Sequence, residues 1–230
     1  MAVTPLRVDE VTRLRQGLYR FFAAALLYPE PGRLAQLTTV SRALTGLEIF
    51  AFYGPWRQLT RALQKLGDRD VAALVETYVR LFVTGSDGAR CPPQASCYLV
   101  PPGQPPGLFL AHLEQEYARF GLTLSRIMPH TPDHVAVQLE VMAFLCDREA
   151  RAWEHRAVAE ASRILEAQHA FLTQHLGRWF SLFAAGVRTA DATGLYGLIA
   201  AAADAFIHHD QDYLQVVRTA WHQNPRESNV

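Results

Sequence analysis

Apolar residues recur every three or four positions along almost the whole chain, and alternation of period two never lasts long enough to make a convincing strand. This feature constrains the fold more than any other, because a 3.6-residue spacing marks one face of a helix. Val11, Leu14, Leu18, Phe21, Phe22 and Ala25 form a first stripe, and the Tyr-Pro-Glu-Pro-Gly run from Tyr28 stops it. A shorter helix follows to about Leu44, and another covers Trp56 to Leu66. A fourth carries Val71, Leu74, Val75, Tyr78 and Phe82, with Asp68 as its expected cap. Helix resumes over Leu108–Phe120 and ends at Gly121. An arginine-rich helix is expected over Arg148–His169. The next carries Leu172, Leu176, Trp179 and Phe183, and Leu195, Leu198, Ala202 and Phe206 mark the last. The expectation is an all-α fold, a single helical domain of about ten helices, and 230 residues suffice for one sizeable core.

Thr84–Gly107 breaks the pattern. It holds six prolines and four glycines, yet includes Tyr98, Leu99 and Val100. A non-periodic stretch of this length inside a helical domain is uncommon, and apolar residues within it point to a packed loop. The domain is therefore expected to span 1–223, with an N-terminal half (1–83), a hinge loop (84–107) and a C-terminal half (108–223). Residues 224–230 are read as a frayed tail.

The formal net charge is zero, and the arginines are interleaved with acids (Lys65 is the only lysine). No basic stripe points to nucleic acid, and no basic amphipathic segment to a membrane surface. Leu195–Ile207 is interrupted by Asp204 and is too short to span a bilayer. The N-terminal run lacks the apolar region of a secretory signal. Cys91, Cys97 and Cys146 are an odd, unpatterned set that argues against a disulfide framework. A soluble, cytoplasmic protein is expected.

Catalytic patterns are sparse. Glu166 and His169 form one Glu-x-x-His, whereas a di-iron bundle needs two such motifs and two further glutamates. Cys91 and Cys97 lack the spacing and the second pair of a zinc site. His208–Asp210 is read as a solvated helix end. There is no Gly-x-Ser-x-Gly elbow, Cys146 reads as a small core residue, and the glycine-rich 84–88 stretch lacks a phosphate-loop lysine. The chain is expected not to be an enzyme, and no cofactor is implied. The alternative is a helical-bundle enzyme with a metal held by Glu166, His169 and His134.

The stretch from Thr131 to Leu145 carries most of the remaining information. Thr131 can cap, Pro132 suits a first helical position, and Asp133 fits a first turn. Two apolar stripes follow (Val135, Leu139, Met142, Leu145; Val137, Val141, Phe144), as in a central, buried helix. Asp133 and His134 can be a capping device, half of a metal site, or part of a recognition pocket. His134 and Gln138 share one face. Polar groups on a buried helix must meet partners or line a cleft.

An ordered set of segments resembles the TorD/DmsD/NarJ-type family of molybdoenzyme maturation chaperones, also called redox enzyme maturation proteins. The first helix ends in Leu-Leu-Tyr-Pro-Glu-Pro-Gly. Tyr78–Val83 is similar to the family's aromatic-x-x-Leu-Phe segment, Cys91–Leu99 to its Pro-Pro loop, and Met128–Met142 to its Asp-His helix start. The stretches 171–183 and 194–207 resemble its last two helices. The departures are local. The family's glutamate ahead of the Asp-His pair is missing, Gln94 stands where an aromatic is usual, and Ala95 where a small or acidic residue is.

The resemblance implies an all-helical cytoplasmic chaperone. Its partner would be the apo form of a molybdenum-cofactor oxidoreductase catalytic subunit, bound through an N-terminal region that is often a twin-arginine signal peptide. The client would be held until cofactor insertion, before export or assembly. The resemblance also implies the groove: Tyr78, Leu81, Phe82, Pro93 and Tyr98 as apolar lining, Ser96 orienting the loop, and Gln94, Asp133, His134 and Gln138 as further contacts. Asp133 would bond a peptide guanidinium or amide, and His134 would make release mildly pH-sensitive. Weak guanine-nucleotide binding is attributed to some relatives, without a phosphate loop here to support it. No nucleic acid and no stable membrane insertion are expected, and the protein is a monomer or a domain-swapped dimer.

Overall fold

The computed structural model describes residues 7–44, 47, 50, 52–83, 89–123, 130–192 and 194–223, apart from the side chains of 68, 222 and 223. The cap expected of Asp68, the loop stretch 84–88 and the tail 224–230 lie outside the described residues. Every regular element among them is helical: α1 (Val8–Ala25), α2 (Pro31–Ala43), α3 (Tyr53–Leu63), α4 (Val71–Tyr78), α5 (Ser96–Leu99), α6 (Gly107–Arg119), α7 (Val135–Glu154), α8 (Val158–Phe171), α9 (Gly177–Ala190) and α10 (Leu195–Gln223). Two π-helical segments extend them. Val79–Val83 continues α4, and Leu172–Leu176 joins α8 to α9 without a break.

Helix α7 is the centre. Thirteen of its twenty residues are buried, so its two apolar stripes face neighbours on both sides. Its most extensive partner is α1, and α8 covers another face; α10 packs on α9, α3 and α8. The aromatic residues of α1 reach across the layers: Phe22 stacks on Phe206 of α10, and Phe21 meets Trp56 of α3 edge to face. One hydrophobic cluster runs from α1 to α10.

The expected Arg148–His169 helix is instead the end of α7 and most of α8, divided at His155–Ala157. The Ala157 N–H bonds the Ala152 carbonyl and the Arg156 N–H bonds that of Trp153, the paired bonds of a Schellman ending. Arg156 takes the left-handed position (φ 56°) where glycine is usual, so the sequence carries no glycine signal. The same ending closes α6 with its expected Gly121.

A second correction concerns His208–Asp210. Asp210 is 1% exposed and lies inside the bundle, not on a solvated end. Arg15 of α1 bonds Asp210 through two nitrogens, and its Nη1 donates to Glu149 of α7 at 3.0 Å. Tyr19 donates to Asp210 at 2.6 Å, and Gln168 of α8 both accepts from Arg15 and donates to Glu149 at 2.8 Å. Thr12 and Trp153 supply two more donors to Glu149 at 3.0 Å. Buried charges are tolerated when paired and fully bonded, and this clamp ties α1, α7, α8 and α10 at one point.

Candidate functional site

The segments 78–82, 93–98 and 133–138 meet on one side of the bundle. Tyr78 ends α4 and Phe82 lies on its π-helical continuation, with ring centroids 5.1 Å apart. Phe82 packs on Phe183 of α9 at 5.9 Å. Tyr98 meets the same Phe183 at 6.4 Å and Trp179 at 5.4 Å. Phe183 thus joins the two aromatic groups. The Cys91 N–H bonds the Leu81 carbonyl at 2.7 Å and ties the loop to this helix.

Residues 91–100 form a strap across the mouth of α7. Gln94 and His134 are opposed in an antiparallel bridge. The Val135 N–H donates to the Pro93 carbonyl at 2.8 Å, and the Ala95 N–H to the Asp133 carbonyl at 3.0 Å. Because Asp133 and His134 are drawn out into this pairing, α7 begins at Val135, three residues later than the sequence indicates.

The roles at this helix start differ from those expected. His134 is the N-cap, and its Nδ1 accepts the Ala136 N–H at 3.1 Å. Acceptance at Nδ1 puts the ring proton on Nε2. Asp133 lies outside the first turn and is 1% exposed. Its Oδ2 accepts the Ser96 N–H at 3.0 Å and its Oδ1 the Thr131 hydroxyl at 2.6 Å. Thr131 therefore serves Asp133 and does not cap the helix. The Pro132 carbonyl accepts the Tyr117 hydroxyl of α6 at 2.6 Å.

Burial and the neighbouring His130, whose ring stacks on His134 at 4.1 Å, hold the His134 pKa at about 4 against a smaller opposing pull from Asp133. The imidazole is neutral through the physiological range, so a titration near neutrality is not built into it. Gln138 lies one turn further along the same face, fully buried, and its Oε1 accepts the indole N–H of Trp179 at 3.0 Å.

All ten residues implied by the resemblance thus fall in one contiguous seam. Seven of them are buried: Tyr78, Leu81, Phe82, Pro93, Asp133, His134 and Gln138. Only Gln94, Ser96 and Tyr98 are partly exposed. In this conformation they make a closed seam with the strap laid over it. Tyr28, 45% exposed and 5.5 Å edge-on to Tyr78, marks its outer rim. Trp179, Phe183 and His130 were not singled out as site residues; the helical period places the first two only as core, and only the fold brings them under the strap.

Among the described residues no three His, Cys, Asp or Glu side chains converge to hold a metal ion. The Glu166, His169 and His134 centre does not form. Glu166 accepts from Arg218 Nε at 2.8 Å, and Arg218 Nη1 lies 3.2 Å from His169 Nε2. Among the described residues no helix is long and apolar enough to cross a membrane.

Comparison with known proteins agrees with this architecture. The family model described as "Nitrate reductase delta subunit" matches residues 51–185. The chaperone protein TorD of Vibrio cholerae is 33% identical over 160 residues, covering 69% of this chain and 70% of that protein. The perchlorate reductase assembly chaperone protein of Dechloromonas aromatica is 30% identical over 135 residues, covering 57% and 59%. A solved structure from Archaeoglobus fulgidus, of a protein provisionally assigned to redox enzyme maturation, superposes with a TM-score of 0.56 over 90% of this chain and 98% of that one. At 18% identity that likeness speaks for the fold alone. These relatives are named chaperones and not enzymes, and this chain belongs to the TorD-type family of molybdoenzyme maturation chaperones.

Proposed function

We propose that the protein binds the N-terminal, signal-bearing segment of an apo molybdenum-cofactor oxidoreductase catalytic subunit in the cytoplasm. It holds that segment until the cofactor is inserted, before export or assembly. The observation that carries this reading is the convergence of three distant stretches, 78–82, 93–98 and 133–138, on one seam. The names of the relatives, TorD and a perchlorate reductase assembly chaperone, support the client class.

An extended peptide of mixed character suits such a seam. Aromatic rings supply apolar contact and the extended entrance to α7, residues 133–135, supplies main-chain partners. Because both oxygens of Asp133 are engaged within the protein, a client arginine would meet this carboxylate only after the strap moves. We keep 84–107 as the hinge between two halves of one domain. A monomer, or a dimer that swaps halves through this hinge, follows from that reading, and light scattering after gel filtration tells them apart.

The direct test is affinity capture from the native host with mass-spectrometric identification. Enrichment of one molybdenum-oxidoreductase catalytic subunit supports the function. Absence of any such subunit, in cells shown to express one, overturns it.

A further inference from the structure

The Gln138 side chain is fully buried, yet its Nε2 has no hydrogen-bond partner among the described residues. Flipping the amide does not cure this. The Trp179 indole can only donate, so the amide oxygen must face it and the NH2 must turn elsewhere. A buried donor without an acceptor is costly, and native proteins retain few. This one sits on the His134 face of α7, and the tryptophan that fixes it packs on Tyr98 of the strap.

The strap itself is bound as a peptide ligand would be. It pairs with 133–135 by one bridge: the Pro93 carbonyl takes the first free N–H of α7, and the Ala95 N–H returns a bond to the Asp133 carbonyl. Any extended segment with a backbone N–H at the position of Ala95 can make these two main-chain bonds. Prolines 92 and 93 offer no N–H, so the strap leaves the donor side of the pairing to Ala95 and Ser96. Beyond it, residues 101–108 are exposed throughout, which leaves the strap room to lift.

We propose that the strap is a resident stand-in for the client: an extended client segment displaces residues 93–95 from the mouth of α7 and gives a backbone carbonyl to Gln138 Nε2. This deepens the function proposed above and rests on it. The seam is closed in the free protein because its own loop occupies it. Selection then falls on the side chains flanking the extended segment, and the main-chain bonds hold any sequence that fits.

The test uses the full-length protein and, as probe, a synthetic peptide of the N-terminal segment of the subunit retained by affinity capture. Hydrogen exchange is followed at Ala95, Ser96 and Val135 with and without the peptide. Faster exchange at Ala95 and Ser96, with Val135 still protected by a new partner, is expected. A second arm locks the strap. Gln94 and His134 are a non-hydrogen-bonded pair, whose Cα atoms lie about 4.5 Å apart, within the range for a disulfide. In a Cys97→Ser background, Gln94→Cys with His134→Cys should bind the peptide at least tenfold more weakly when oxidised than when reduced.

Binding with unchanged exchange at Ala95 and Ser96, or equal binding by the locked and unlocked forms, overturns the displacement while leaving the chaperone function standing. If neither form of the double variant binds, the exchange data on the unmodified protein decide alone. Failure of the unmodified protein to capture any oxidoreductase subunit removes the function, and this inference with it. Gln138→Met removes the donor, at the expense of the partner of the Trp179 indole. A tenfold or greater loss of peptide affinity, in a protein that keeps the wild-type helical circular dichroism, is expected, and unchanged affinity rejects the Gln138 contact.

Discussion

Replacing Asp133 with alanine tests whether the carboxylate ties the strap to α7. Two hydrogen bonds end on it. The Thr131 hydroxyl belongs to an exposed residue and recovers a water partner, so its loss counts for little. The Ser96 N–H is half-buried, and a bond from an amide to a charged acceptor contributes about 1.5–3 kcal/mol. Removing a buried carboxylate also relieves its desolvation, which acts in the opposite direction. The net loss is then about 1–2 kcal/mol, or a fall in melting temperature of about 2–8 °C for a chain of this size. Thermal unfolding followed by circular dichroism at neutral pH reads this directly. Hydrogen exchange should show the Ser96 amide losing protection before α7 does. Asp133→Asn retains an acceptor for Ser96 and should lose less than half as much. A melting temperature for Asp133→Ala within about 1 °C of wild type, with Ser96 still protected, would refute the tie.

Other outcomes follow from the same geometry. The His134 pKa is lowered in the fold, so its contribution is complete above about pH 6.5, declines as the unfolded chain takes up a proton, and levels off below about pH 4; the full change is about 3 kcal/mol. Burial lowers His130, His169 and His175 too and steepens the slope. Urea unfolding from pH 7 down to about pH 4.5, with NMR titration of the imidazoles, checks this, and a His134 ring that titrates near 6.5 sinks it. Arg15→Met strands Asp210 and Glu149 inside the bundle and should remove about 3–5 kcal/mol; a loss below about 1 kcal/mol in chemical denaturation would show that the pair is not truly buried. At Gly197 an added methyl would strike the Asp191 carbonyl, on a backbone already fixed by the Asp191 side chain accepting the Tyr196 and Gly197 N–H groups. Gly197→Ala should therefore lose about 1–3 kcal/mol, whereas Gly54→Ala, in open space on α3, should be neutral or gain up to about 1 kcal/mol. Equal melting temperatures for the two variants would contradict the crowding.

The helices were legible because burying a face against a core imposes a period that local sequence cannot hide. The order of α1 to α4, the Gly121 stop and the doubly buried α7 all rest on that. What was missed has physical reasons. Arg156 occupies a left-handed helix ending that glycine normally announces. His134 caps with an imidazole, outside the usual Ser, Thr, Asp and Asn set, and its neighbour Asp133 turns to a strap whose pairing depends on residues almost forty positions away. Asp210 looked solvated because its partner Arg15 lies 195 positions upstream. Local patterns carry no information about such pairings. The site residues followed from the resemblance, whereas their burial under the strap could come only from the folded chain.

The clamp between Arg15 and Asp210 also bears on how this protein is made. A ribosome adds about 5–20 residues per second, so α1 is synthesised about 10–40 s before the helix that carries its carboxylate partner exists. Through that interval the apolar face of α1, with Leu18, Phe21 and Phe22, lacks its stacking partner Phe206, and Arg15 lacks the second of its two buried counter-charges. Folding to the final state is therefore tied to completion of the last helix, and a nascent chain stalled before Asp210 leaves that face of α1 without its α10 contacts.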